Sequence, residues 1–447
     1  MAIREIHGTP DLLALHRHDP SRYPHLLESA ARGEPLGRFD ILFAFPGDTL
    51  TLAGNGELHG PFATSGFLDS LQAWMDAEHA SAADDVSHLP FHGGWFVFLS
   101  YELAGEIEPR LKLHPDARWP VALATRFPAA VIRDHAAKQT WLVSEDESLL
   151  ALMLADLAVA KDIPELPRLD LRDIDEEDAQ RYEGMVERVV RYIIDGDVFQ
   201  ANISRPWTGN IDGGLPHWAI HDHLRRANPA PFAALVTWNE QAIISSSPER
   251  LVEIRGDCVQ TRPIAGTRPR GNDPEKDRAL LDELIAHPKE RAEHIMLIDL
   301  ERNDLGRIAI PGTVEVDELM ALESYAHVHH IVSNVRAKRR PEIGAAGVIR
   351  AVFPGGTITG CPKVRCMEII AELEQASRCA YTGSLGYFNR DGSGDLNILI
   401  RTIMRDGERI AFRAGAGIVA DSIPEREVAE TRAKARGMLL ALRGDER

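Results

Sequence analysis

Gly383-Ser-Leu-Gly-Tyr-Phe-Asn-Arg-Asp391-Gly-Ser-Gly-Asp395-Leu-Asn-Ile-Leu-Ile-Arg401-Thr-Ile-Met-Arg-Asp406-Gly-Glu-Arg-Ile-Ala-Phe-Arg-Ala414 reads as three successive strands, Gly383–Phe388, Leu396–Met404 and Glu408–Ala414, broken by Asp-Gly turns. Asp-Gly supplies the positive φ that a tight hairpin needs, so the pairings are antiparallel. A parallel pairing would instead need a long crossover between each two strands. Outward from this block the same pattern recurs in Ala233–Trp238 with Ala242–Ser246, and earlier in Phe39–Phe45, Gly93–Leu99 and Trp141–Ser144. Helical runs stand between them at Leu149–Lys161, Glu177–Ile194 and Val364–Leu373. The expected fold class is α+β. The proline-punctuated segment Ile163–Arg172 is the linker candidate, separating an N-terminal part, 1–165, from a C-terminal part, 173–447.

The 447 residues, 44% hydrophobic and 26% charged, suffice for a large core without staples. A net charge of -18 argues against nucleic acid or an anionic membrane as the main partner. An anionic substrate then needs locally placed Arg, Lys, backbone N–H groups or a metal. No apolar run approaches 18 residues and the N-terminus is broken by charges and prolines, so a cytoplasmic protein is expected. Cys258, Cys361, Cys366 and Cys379 fit no zinc or disulfide spacing and are expected to be reduced.

Glu290-Arg-Ala-Glu293 and Glu427-Val-Ala-Glu430 each set two carboxylates three apart on one helical face. The first helix is predicted to open at Pro288. The second is predicted to open with a capping box at Ser422-Ile-Pro-Glu425, to bury Val428, Ala435, Leu439 and Leu442, and to stop at Gly444. Either pair alone is more often a solvated face; together they outline an oxygen-only site, which favours Mg2+ over Zn2+. His330 is a candidate general acid because imidazole titrates near neutrality. Glu249 follows a strand, and Arg401 offers a two-point clamp for a carboxylate. Gly355-Gly-Thr357-Ile-Thr-Gly-Cys-Pro-Lys363 is not a phosphate loop, but it could place Thr357 and backbone N–H groups against a small anion. Ala414-Gly-Ala-Gly417 allows a ligand to approach backbone closely.

These segments, with Ser246-Ser-Pro-Glu249, Thr261-Arg-Pro-Ile-Ala-Gly-Thr267, Asp299-Leu-Glu-Arg-Asn-Asp-Leu-Gly-Arg307, His330-Ile-Val-Ser333 and Asp395 to Arg401, resemble the chorismate-utilising enzymes in order and spacing from about Glu177 to Leu442. The resemblance implies a sandwich of two sheets flanked by helices and Mg2+-dependent chemistry on chorismate. It implies Glu293 and Glu430 as direct metal ligands, with Glu290 and Glu427 acting through water. Arg401, Tyr381 and the backbone at Gly417 would hold the enolpyruvyl carboxylate, and Lys434 would offset negative charge nearby. His330 and Thr357 would act on the leaving hydroxyl, and Glu249 on the proton of the nucleophile. Ser29, Gly37, Arg38, Phe39, Pro231, Phe232 and Ala233 resemble the tryptophan pocket of the family.

Relatives that add water carry an activating lysine where this chain has Gln200, which cannot act as a base, so the ammonia-using branch is expected. Within it, amination para to the ring carboxylate gives 4-amino-4-deoxychorismate, the precursor of 4-aminobenzoate and folate, and several para enzymes carry a lysine nucleophile where this chain has Ala265. Phe353 to Lys363, Asp395 to Arg401, Ala230-Pro-Phe-Ala233 and Gly37-Arg-Phe-Asp40 nevertheless look more like the para enzymes, whereas Leu26-Leu-Glu-Ser29 looks like the ortho ones, which release pyruvate and give anthranilate. Para amination is the expected activity and ortho amination the alternative; a tryptophan-binding homologue without catalysis is the reading from a different class. No Cys/His nucleophile arrangement is visible, so a separate glutaminase subunit is the expected ammonia source, and tryptophan is a further possible ligand.

Overall fold

The computed structural model describes residues 1–31, 37–81, 86–160, 167, 169, 171–271, 273–324 and 328–444. Most of the linker candidate Ile163–Arg172 lies outside the described residues. Two sheets form the centre of the molecule, and every pairing among the described residues is antiparallel. One runs in the order Ala2–Ile6, Gln139–Ser144, Ala129–Asp134, Phe39–Ala44, His25–Glu28, Phe232–Trp238, Gln241–Ser247, Thr402–Asp406, Arg409–Ile418, Gln200–Ile211, Leu171–Glu176, with Gly360–Cys361 added beside Gln200–Ile211. The other runs Ile264–Pro269, Val328–Lys338, Cys258–Thr261, Arg250–Arg255, Gly394–Asn397, Ser384–Asn389, Gly94–Leu99, Ala122–Phe127, Thr49–Leu52, Leu58–His59, with Glu315–Ser324 also on Val328–Lys338. Strands from both sides of the linker candidate take part in each sheet.

The period-two alternation of a strand builds the layers. Ile41 and Phe43 point between the sheets, where they join Phe96, Phe98, Phe127, Ile243 and Leu385, while Leu42 and Ala44 point outward under helices. Trp95, Val97 and Leu99 of Gly94–Leu99 face outward as well, so both faces of that strand are buried and its sequence is continuously apolar. Helices Leu12–His18, Glu147–Val159, His217–Ala227 and Pro424–Arg443 cover the first sheet; Phe67–Ala77, Pro288–Gly306 and Ala345–Val352 cover the second. Ala179–Ile194 and Lys363–Glu374 close over the end of the first sheet, against Ala201, Ile203, Ala416 and Ile418. Each large apolar side chain buried this way stabilises the fold by about 1.5–3 kcal/mol. The four cysteines are free, as the sequence led us to expect.

Two expectations need correction. Leu396–Met404 is not one strand: Gly394–Asn397 belongs to the second sheet and Thr402–Asp406 to the first. Between them the chain crosses from one sheet to the other, and Arg401 takes the left-handed conformation at φ 52°, so it does not end a strand. The C-terminal helix is Pro424–Arg443 and stops at Gly444 in the left-handed region, but no capping box forms. The Ser422 hydroxyl instead accepts from the Val419 N–H at 3.1 Å, which leaves Ile423 as an N-cap without a side-chain hydrogen bond.

Candidate active site

The candidate site lies at the corner where two chain segments cross between the sheets. Gln241–Ser247 ends in the first sheet and Arg250–Arg255 begins in the second, which leaves Glu249 in the passage. The second crossing, 398–401, is tied to the first: the Ser246 N–H donates to the Arg401 carbonyl at 3.1 Å, the Ile398 N–H to the Glu249 carbonyl at 2.9 Å, and the Ser247 hydroxyl to the Ile398 carbonyl. Glu249 and Arg401 are thereby fixed together by backbone pairing. Glu249 is only 6% exposed, and burial pushes its carboxyl up to about 7, against the opposing pull of a Thr357 hydrogen bond, the Ile264 backbone and the charges of Arg401 and Lys434. The Thr357 hydroxyl, on the short turn Gly356–Ile358, donates to Glu249 Oε1 at 2.7 Å. Burial also pulls the Arg401 guanidinium below its ordinary value, and Glu249 opposes that fall.

His330 stands on Val328–Lys338, opposite the bulge that separates Ala265 from Thr267. Gly266, in the bulge, adopts φ 66°. Burial, reinforced by the positive charge of Arg401, holds the His330 imidazole down at about 4. At neutral pH the ring is therefore uncharged, and the ready imidazolium expected from its ordinary titration is absent. Glu249, its carboxyl raised, and His330, its imidazole lowered, both lie within electrostatic reach of Arg401.

The floor is the pairing of Gln200–Ile211 with Arg409–Ile418. A Cβ on Gly415 would sit 2.4 Å from the Ile203 carbonyl and 2.6 Å from the Tyr381 hydroxyl; one on Gly417 would sit 2.2 Å from Gln200 Nε2. These glycines allow Tyr381 and Gln200 to close on bare backbone. Lys434 Nζ donates to the Gly415 carbonyl at 3.0 Å. The Gln200 Oε1 is buried without a hydrogen-bond partner, an acceptor left open at the edge of this floor.

Helix Pro288–Gly306 begins where the proline predicts, and the His287 side chain accepts from the Glu290 N–H at 3.5 Å. Glu290 pairs with Arg268 at 3.1 Å, and Glu430 with Lys434 at 2.7 Å. Glu427 and Glu430 both act electrostatically on the buried Tyr182. Among the described residues no three His, Cys, Asp or Glu side chains form a group that could hold a metal ion. The donor chemistry of the two glutamate pairs, carboxylate oxygens alone, suits a hard divalent cation, while Arg268 and Lys434 neutralise one carboxylate of each pair.

A cavity of about 430 Å³ is lined by Ser29, Arg38, Phe39, Pro231, Phe232 and Ala233 together with Arg250 and Asn397, the chain neighbours of Glu249 and Ile398. Gly37 is buried next to Arg38 without lining it. The Ser29 hydroxyl lies 3.1 Å from both the Phe39 and Pro231 carbonyls and ties the two walls. Arg38 is held by Asp134 at 2.8 Å and stacks 4.6 Å over Phe39.

Sequence reasoning missed Glu301 and Asp304, both buried on the inner face of Pro288–Gly306. The signal was present: Leu297, Ile298, Glu301 and Leu305 form one buried stripe at helical spacing, so Glu301 occupies an apolar position.

The profile of a protein family described as chorismate binding enzyme matches residues 37–440. The chain is 39% identical over 443 residues to aminodeoxychorismate synthase component 1 of Bacillus subtilis, covering 94% of this chain and 92% of that one. It is 46% identical over 364 residues to an anthranilate synthase component I-like protein of Synechocystis sp., covering 80% and 74%. The structure superposes on anthranilate synthase component I from Streptococcus pneumoniae with a TM-score of 0.81 at 31% identity, over 91% of this chain and 93% of that one.

Proposed function

This chain belongs to the chorismate-binding enzyme family, and from that premise we propose that it aminates chorismate with ammonia to 4-amino-4-deoxychorismate, for 4-aminobenzoate and folate synthesis. The observation that carries the choice of nucleophile is the open, buried carbonyl of Gln200. A primary amide cannot take a proton from water at neutral pH, but its oxygen accepts an N–H and so orients ammonia. Arg401, Tyr381 and the bare backbone at Gly417 bind and orient the substrate carboxylate. Glu249 in its protonated form gives a proton to the departing hydroxyl as the C–O bond breaks. As a carboxylate it then takes one from the newly bonded ammonium nitrogen. Thr357 keeps Glu249 Oε1 directed, and neutral His330 donates an N–H to the leaving oxygen.

Glu293 and Glu430 would hold Mg2+ directly and Glu290 and Glu427 through water, where the ion would neutralise the ring carboxylate. Ammonia comes from a separate glutaminase. Burial raises the thiol pKa of all four cysteines, Cys379 to about 12, which is the reverse of what a nucleophilic glutaminase cysteine requires. Relatives named component 1 support a second component.

Para regiochemistry is favoured by the relatives named aminodeoxychorismate synthase, which align over 91–94% of this chain. Ala265 in place of a lysine, and the 46% identity to an anthranilate synthase component I-like protein, favour ortho amination as the second reading. Chorismate, ammonium and Mg2+ with the purified chain decide between them. Product that yields 4-aminobenzoate only after a lyase is added supports the para reading, and fluorescent anthranilate formed directly with pyruvate overturns it.

A further inference from the structure

Gln200, Asn202 and Ser204 project from one face of Gln200–Ile211, since side chains two apart on a strand share a face. Gly417 and Gly415 stand opposite Asn202 and Ser204 in the paired strand, so this face is the floor on which Gln200 and Tyr381 close. Ser204 is satisfied there: its N–H and its hydroxyl donate to Glu374 at 2.7 and 2.9 Å. Asn202 is not. It is 8% exposed, and its buried Oδ1 accepts no hydrogen bond among the described residues. The backbone of Asn202 is held on both sides. Its N–H donates to the Thr359 carbonyl at 2.9 Å, and its carbonyl accepts from the buried Arg378 guanidinium at 2.7 Å. A fixed, buried acceptor left unpaired costs stability, which a binding role would explain.

The second unpaired oxygen, Gln200 Oε1, belongs to an amide that rests over Gly417, where a Cβ would sit 2.2 Å from Gln200 Nε2. Asn202 is the cross-strand partner of Gly417, and Cβ positions directly opposite lie about 4.5–5.5 Å apart on the same face. Two amides thus border one glycine, each with an unpaired oxygen. A ligand that satisfies both is the size of a water and carries at least two donors. Thr359, which takes the Asn202 N–H, is two residues from Thr357, which donates to Glu249 Oε1 at 2.7 Å, so the amides stand beside the acid–base group.

We infer that Asn202 Oδ1 and Gln200 Oε1 together form the ammonia-binding site, which makes Asn202 a specificity residue for the nucleophile. Two of the three N–H groups of ammonia are held, and this directs its single lone pair. That pair forms the C–N bond as the C–O pair leaves with the oxygen. Glu249 gives the proton that makes the leaving group water and regains one from the new ammonium nitrogen, so alcohol and ammonia give amine and water. Water held by the same oxygens stays unreactive, because neither amide can take its proton.

The inference rests on the amination reading but not on the ring position. The test uses the full chain with chorismate and Mg2+ at one pH and varies ammonium. Asn202→Leu keeps the size of the side chain and removes the acceptor. It is expected to raise the KM for ammonium about tenfold with the KM for chorismate unchanged. Asn202→Ala removes the oxygen without adding bulk, is expected to show the same selective rise, and serves if the Leu variant does not fold. A KM for ammonium within twofold of the unmutated value, or KM values for ammonium and chorismate that rise together, overturns the site and leaves the amination reading standing. If the unmutated chain forms no amine at all, the amination reading fails, and the site with it.

Discussion

Glu249→Gln separates what the buried carboxyl does for chemistry from what it does to stability. A folded pKa of about 7 against an ordinary 4.5 means that the folded protein holds this proton more tightly than the unfolded chain does. The stability associated with it is therefore fully present below pH 4.5 and is lost as pH rises to about 7. At ~1.4 kcal/mol per pKa unit, the ionised carboxylate destabilises the fold by about 3 kcal/mol above pH 7. Glutamine mimics the protonated form, keeps an oxygen for the Thr357 hydroxyl and carries no charge. The variant is expected to unfold at a higher temperature than the unmutated protein at pH 8, with the gap closing towards pH 4, while amination falls by ~10²–10⁴-fold. Thermal unfolding followed by circular dichroism across this range, beside a product assay, reads both effects. Equal midpoints at pH 8, or a gain at pH 4 as large as at pH 8, would refute the argument that burial sets this pKa.

Thr357→Val removes the 2.7 Å hydrogen bond that favours the Glu249 carboxylate, so the neutral-range limb of the pH–rate profile should move about one unit to higher pH; an unmoved limb counts against that bond. Gly417→Ala brings a methyl onto the flexible end of Gln200, whereas Gly415→Ala meets the Ile203 carbonyl, so the first should lose turnover with little change in unfolding and the second should lose about 1–3 kcal/mol of stability. Equal effects on stability would show that the floor is looser than its contacts. Ser29→Leu should abolish calorimetrically measured tryptophan binding in the 430 Å³ cavity while amination without tryptophan persists; undiminished binding would place tryptophan elsewhere.

The layers and hairpins were readable because alternation and Asp-Gly turns are local signals: the helix at Pro288 and the stop at Gly444 came out as predicted. The crossing at 398–401 was not, because Ile398-Leu399-Ile400 is as apolar as a buried strand and nothing in its pattern marks a change of sheet. The site inherited that blindness. Glu249, Thr357 and Arg401 could be named from motifs, but the burial of Glu249 and its contacts with Thr357 and Arg401 depend on segments more than a hundred residues apart. Ser422 was misread for a smaller reason: a serine hydroxyl can serve the preceding turn as easily as the helix that follows.

The interleaving of the sheets also sets a timetable for the nascent chain. His25–Glu28 needs Phe232–Trp238 as its neighbour, and Gly94–Leu99 needs Ser384–Asn389. At roughly 5–20 residues per second of synthesis, the fully apolar Gly94–Leu99 waits roughly 15–60 s on the ribosome for its partner to emerge. During that wait the strand is a bare edge, so translation speed and chaperone occupancy, more than equilibrium stability, should govern how much of this protein reaches its native state in a cell.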